Sequence, residues 1–176
     1  MNKYVSVISA ISRFLGVVSV VLMVAALLSV CHMVVMRGIL GQAVIWQTEF
    51  ATFALVSATF LGCPYVLMVR GHVNVELLPL KVGLSARRTL ALVTAGAALL
   101  FCIAVLVNAA EWWWEAYEAG WTTDSIWRPR LWIYYLSLPV GMFFLSLQYI
   151  AEIGEVVTGI APPFGIPHDD KTEPRS

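Results

Sequence analysis

The chain has 176 residues, 60% of them hydrophobic and 12% charged, with 11 basic and 11 acidic side chains. A water-soluble domain of this length carries about twice that charged fraction, so the composition indicates an integral membrane protein of one compact domain, with no room for a second. Zero net charge and the absence of a basic block argue against a nucleic-acid partner. The cysteines (Cys31, Cys63, Cys102) are isolated, without a C-x-x-C pair, and read as small apolar packing residues. Three histidines are too few for a multi-haem or multi-metal site, and no cofactor is expected.

Residues 1–13 are polar and basic (Lys3, Arg13), and the uncharged run from Phe14 to Met36 predicts a first transmembrane helix. That run is too long for the apolar core of a cleaved signal peptide. Val30 stands where a lipoprotein cleavage site would need a small residue, so the segment is expected to stay as an anchor. A short turn with Gly38 and Gly41 leads to the second span, 49–69. Ala54, Ala58 and Gly62 fall at four-residue spacing along it, a ridge of small residues over which another helix can come close. Pro64 predicts a kink, tolerated in a bilayer where a neighbour satisfies the freed carbonyl.

Residues 70–88 carry Val73, Leu77, Leu80 and Leu84 at helical spacing among Arg70, Lys81, Arg87 and Arg88, which predicts an amphipathic interfacial segment. The third span is read as 89–110, with a second small-residue stripe at Ala91, Ala95, Ala98 and Cys102. Two such stripes exceed what four short helices need for themselves unless a partner docks.

The stretch 111–130, EWWWEAYEAGWTTDSIWRPR, is the least ordinary part of the chain. Glu111, Glu115 and Glu118 share one helix face, and the aromatic residues occupy the rest. The expected arrangement is an aromatic belt at the membrane surface with a solvated acidic face, in preference to a cation site. The fourth span is read as 131–151, bent in its first half by Pro139 and Gly141. Residues 159–176 are Pro-rich and charged, which predicts a disordered tail. The fold class expected is therefore all-α: a 1–158 domain of four transmembrane helices, with an interfacial segment between the second and third.

Eight basic residues (Lys3, Arg13, Arg70, Lys81, Arg87, Arg88, Lys171, Arg175) fall on one side of this layout and three (Arg37, Arg128, Arg130) on the other. The positive-inside rule then predicts both termini in the cytoplasm.

No nucleophile–base pair, Gly-rich phosphate loop or H-E-x-x-H motif is present, so no enzyme activity is expected. Two other roles are open to a small four-helix chain. A haem-anchoring subunit of a respiratory complex would need two histidines across one iron, but His32 and His72 lie roughly 25 Å apart by helix rise. A self-sufficient small exporter would need a carboxylate inside the membrane. Glu49 instead sits at a helix N-terminus, where the dipole stabilises an acid without any transport role.

The order W-x-x-E (Trp46, Glu49), F-L-G (Phe60, Leu61, Gly62) and R-G-H-V-x-V-x-L-L (Arg70 to Leu78) resembles the small membrane subunit of tripartite ATP-independent periplasmic (TRAP) transporters. A looser S…P…W…Y…L-P-x-G pattern (Ser125, Pro129, Trp132, Tyr135, Leu138, Pro139, Gly141) extends it, with one more residue between proline and tryptophan than the usual form. The resemblance implies a large TRAP membrane subunit that holds the substrate and ion sites. It also implies a periplasmic substrate-binding protein that delivers an organic anion, commonly a carboxylate or sulfonate, with uptake driven by an ion gradient, usually sodium. The small subunit would then be a scaffold in the bacterial inner membrane. Trp46, Glu49, Gly62, Arg70, Gly71 and His72 are the residues expected at a partner interface or at the membrane surface.

Overall fold

The computed structural model describes residues 2–42, 45–69 and 84–158. Residues 70–83 of the expected interfacial segment, with Arg70, Gly71 and His72, and the tail 159–176 lie outside the described residues, while residues 84–88 of that segment begin a long helix and are not a separate element. Regular structure within them is helical, apart from one isolated antiparallel bridge between Thr122 and Arg130. In chain order the helices are α1 (Asn2–Gly38), α2 (Trp46–Met68), α3 (Leu84–Glu118), α4 (Leu131–Tyr135) and α5 (Ser137–Thr158). Four stretches are long and apolar enough to cross a membrane: Tyr4–Gly38, Trp46–Met68, Arg88–Glu118, and Leu131–Thr158 across α4 and α5.

Two helices run well past the uncharged segments from which the spans were read. Lys3 and Arg13 interrupt the apolar run but not the helix, because lysine and arginine are among the better helix formers. This extra length of α1 has its own packed face, with Ile8 and Ser12 one turn apart and Leu15 a turn further, all buried. Ser12 Oγ donates to Gln148 Oε1 of α5 at 3.2 Å. At the other extreme α3 continues through the tryptophan-rich sequence to Glu118, so Glu111, Glu115 and Glu118 do share a helical face, and all three are exposed.

In space the long helices follow the order α1, α2, α5, α3, with α1 touching α5 more lightly. The α1–α2 contact is an antiparallel hairpin built on small residues. A Cβ on Gly16 would sit 2.6 Å from Tyr65 Cγ, and one on Gly62 would sit 2.8 Å from Ser19 Oγ. Ser19 Oγ donates to the Ala58 carbonyl at 2.6 Å, and Ala26 packs against Ala51 and Ala54. The ridge Ala54–Ala58–Gly62 is thus occupied by the chain's own α1. The expectation that this stripe exceeds the chain's own needs is corrected here: Ser19 and Ala26 are small enough to let the two backbones meet along it.

Helices α2 and α5 meet where two backbone irregularities fall together. Pro64 lies inside α2 and has no N–H, so the carbonyl of Phe60, four residues earlier, loses its helical donor. Gly141 of α5 packs directly on that carbonyl, and a Cβ there would collide with the Phe60 oxygen and carbonyl carbon. A glycine hydrogen faces that oxygen, which allows at most a weak C–H···O contact and not a replacement for the lost N–H. Pro139 acts the same way on its own helix by freeing the Tyr135 carbonyl, and α4 ends at that residue. The helix is interrupted for one residue at Leu136, which keeps helical backbone angles, and Gly141 serves helix contact.

Helix α3 packs on α5 through Cys102, which is buried with Met142 and Leu145 in a cluster flanked by Phe60, Leu67 and Tyr149. Near their other end Arg88 Nη2 donates to the Val157 carbonyl at 2.5 Å, capping α5 with a cation where the helix dipole favours one. Between these contacts Ala95 and Ala98 stand back from α5 and leave a groove of about 260 Å3, also lined by Tyr149, Glu152 and Ile153. The second small-residue stripe therefore faces α5 with space to spare.

Candidate functional site

Trp46 opens α2 and Glu49 closes its first turn, where unpaired backbone N–H groups and the helix dipole favour a carboxylate. The residue before the helix, Ile45, supplies no side-chain cap. The side chains of this turn engage the connection between α3 and α4, residues 119–130. Thr123 Oγ1 donates to Glu49 Oε2 at 3.3 Å and lies 3.0 Å from Ser125 Oγ. Ser125 Oγ in turn accepts from the backbone N–H of Arg128 at 3.4 Å. The Trp46 ring sits 6.3 Å from Trp127 at an interplanar angle of 60°, 6.3 Å from Phe50, and 6.4 Å from His32 of α1.

The loop holds its shape by backbone pairing as well. Trp121 N–H donates to the Ala116 carbonyl at 3.1 Å, and the Trp121 carbonyl accepts from Leu131 N–H at 3.0 Å, which draws the two ends together beside the Thr122–Arg130 bridge. Gly120 ends α3 with φ +60°, the left-handed conformation that glycine adopts freely at a helix C-terminus. Arg128 holds φ +43° without that freedom, a conformation that costs about 1–3 kcal/mol in a non-glycine residue.

A second polar contact lies behind Trp46. Gln47 is fully buried, and its side-chain nitrogen is 2.6 Å from His32 Nδ1, while its backbone carbonyl accepts from Ser29 Oγ at 3.5 Å. Gln47 Oε1 has no partner among the described residues. His32, weighed above as a haem ligand, is thus engaged with α2 of its own chain.

Most of the aromatic residues expected in a membrane-surface belt pack on one another across elements. Tyr134 stacks on Phe53 of α2 at 4.3 Å, and Trp112 stacks on Tyr135 at 6.1 Å. Trp113 Nε1–H donates to the Trp132 carbonyl at 3.1 Å. Beside them Asn108, Glu111, Trp112 and Glu115 border an open groove of about 520 Å3. Among the described residues no group of three His, Cys, Asp or Glu side chains is arranged to hold a metal ion.

The structure brings Trp46 and Glu49 together with the 119–130 loop. It leaves Gly62 on the α1 contact, sixteen residues further along α2, about 24 Å by helix rise. Gln47, Thr123 and Trp127 complete the cluster, and sequence reading passed over all three. Gln47 carried a signal, a full amide at the start of an apolar span. Thr123 did not, being one hydroxyl in a polar run, 74 residues from its partner.

The family described as tripartite ATP-independent periplasmic transporters, DctQ component, matches residues 26–159, from the middle of α1 through the end of α5. A C4-dicarboxylate TRAP transporter small permease protein DctQ of Rhodobacter capsulatus is 25% identical over 130 residues, covering 74% of this chain and 55% of that protein. Its namesake in Vibrio cholerae serotype O1 is 22% identical over 147 residues, covering 72% of this chain and 63% of that protein. The chain spans a little over half the length of these relatives.

Proposed function

Because this chain belongs to the DctQ component family of the tripartite ATP-independent periplasmic transporters, and so is a small subunit of a TRAP transporter spanning the inner membrane several times, we propose that it is the scaffold of its complex. It braces a large membrane subunit that carries the substrate and ion sites, while a periplasmic binding protein delivers an organic anion. A carboxylate is the favoured cargo, because both relatives are named for C4-dicarboxylates. Uptake is driven by an ion gradient, and both termini are cytoplasmic, as the distribution of basic residues favours.

The observation that carries this reading is the use to which the polar side chains are put. Ser12, Ser19, Ser29, Gln47, Thr123 and Gln148 tie this chain's own helices and loop to one another. A chain of this kind gains a rigid shape, and rigidity is what a brace supplies. In the scaffold role Trp46, Glu49, Arg70, Gly71 and His72 fix the depth of α2 or meet the partner at its two ends, and Gly62 keeps α1 and α2 close.

Purification of a tagged copy from its native membrane in mild detergent, followed by mass spectrometry of what accompanies it, tests the proposal. A stoichiometric large polytopic membrane protein is the expected companion. A pure self-associated species that moves substrate in liposomes on its own would overturn the scaffold role. Glu49→Ala and Arg70→Ala are each expected to lower uptake together with the yield of complex.

A further inference from the structure

The 119–130 loop has an unusual tip. Ile126 is 86% exposed, more than any other large apolar residue described, and it is followed by Trp127 at 41% and by exposed Arg128. The loop is not free to fold its tip away, being held by the Thr122–Arg130 bridge, the Ser125–Arg128 contact and the left-handed backbone at Arg128.

Its depth is fixed too. Trp127 lies against Trp46, and Thr123 against Glu49, in the first turn of α2. A 23-residue helix is about 35 Å long, only slightly longer than the hydrocarbon thickness of a bilayer, so its first turn lies in the headgroup layer. Trp127 and Thr123, packed on that turn, lie at the same level along α2, with Ile126 next to Trp127 in sequence.

We propose that the tip of this loop is a phospholipid-seating element. Ile126 and Trp127 enter the boundary between headgroups and acyl chains of the leaflet at the Trp46 end, and the guanidinium groups of Arg128 and Arg130 meet lipid phosphate. An apolar residue beside a tryptophan at interfacial depth gains by entering that boundary, because the ring tolerates both phases. Arginine matches phosphate oxygens with a planar fork of donors. Neither Arg128 nor Arg130 has an ion-pairing carboxylate among the described residues. With two arginines against Asp124 alone, the loop carries net positive charge. The proposal rests on the membrane location of the chain but not on its scaffold role, since its readouts need no other protein.

The test uses the full chain in nanodiscs of phosphatidylethanolamine and phosphatidylglycerol. With Cys31, Cys63 and Cys102 replaced by alanine, a nitroxide is placed through Ile126→Cys and, separately, through Asp124→Cys. Collision with oxygen relative to a water-soluble nickel chelate is expected to be severalfold higher at 126 than at 124, and equal ratios at the two positions overturn the proposal. The unaltered chain answers the same question without substitutions. Hydroxyl-radical footprinting should spare Trp127 in nanodiscs, and labelling as full as in the denatured chain counts against seating. The double variant Arg128→Gln/Arg130→Gln is expected to lose tightly held phospholipid in native mass spectrometry, and unchanged retention removes the arginines from the proposal. A tip that is open to water in nanodiscs and becomes protected only when a soluble protein is added would assign the loop to a protein partner and overturn the lipid reading.

Discussion

The α1–α2 hairpin and helix α3 are both long, apolar and rich in small residues, yet they use them differently. In the hairpin, small residues at the contact are matched by something on the facing helix: Gly16 by the Tyr65 ring, Gly62 and Ala58 by Ser19, Ala51 and Ala54 by Ala26. In α3, Cys102 is buried against α5, but Ala95 and Ala98 border a groove, and Leu100 and Phe101 point away at 71% and 66% exposure. A small residue is therefore only an opportunity for close approach. Whether it is taken depends on the facing residue being small as well, or on its bringing a donor to a backbone carbonyl.

The sharpest way to break the comparison is to enlarge a residue at a filled contact. Gly141→Val would drive a branched side chain into the Phe60 carbonyl, which belongs to the backbone and cannot rotate away. A loss of about 3 kcal/mol or more is expected, read as a large drop in the thermal midpoint and yield of the detergent-solubilised chain. Gly62→Ala meets only the Ser19 hydroxyl, which can turn, so about 1–2 kcal/mol is expected by the same measurement. Ser19→Ala keeps the close approach and removes one hydrogen bond. Interhelical hydrogen bonds in membranes average about 0.6 kcal/mol, so its shift should be the smallest in the hairpin.

Glu49→Ala sharpens a different contrast, between the stability of the helices and that of the loop. It is expected to change the thermal midpoint little and to raise amide exchange in 119–130, because the hydrogen bond from Thr123 is removed while the helix contacts stay. Exchange in the loop as slow as in the parent would show that the backbone pairing alone holds it. At the far end of the scale, Leu100→Ala on α3 should alter the stability of the isolated chain by less than about 0.5 kcal/mol. A large destabilisation there would mean that the exposed face of α3 packs on something within the chain.

Four membrane crossings and the all-helical class were legible from uncharged runs, because the bilayer interior excludes charge over a fixed thickness. Helix ends were legible only where the pattern carried helical spacing into polar sequence. The i, i+4, i+7 acids Glu111, Glu115 and Glu118 announced that α3 runs on, whereas the same kind of evidence in Ile8, Ser12 and Leu15 was masked by the flanking Lys3 and Arg13. The site was half legible. Trp46 and Glu49 stood out as a polar and aromatic pair at a span end, but the groups they touch are set by the path of the loop. Nothing local to Glu49 specifies Thr123. The small-residue ridge of α2 was visible as a ridge, and its occupant was not, because any helix with a serine or alanine at the right level would fit it.

The meeting of Pro64 and Gly141 also bears on how the chain is built into the membrane. Spans enter the bilayer in the order of synthesis, and α2 arrives with a carbonyl that its own proline has stripped of a donor. Its cover comes from α5, which is synthesised later. A C–H···O contact is worth only about 0.5–1 kcal/mol, so Gly141 relieves the Phe60 carbonyl in part, but its fit there favours one level of α5 on α2. A valine or alanine at 141 could not sit at this level, so the register of α5 on α2 depends on a residue without a side chain.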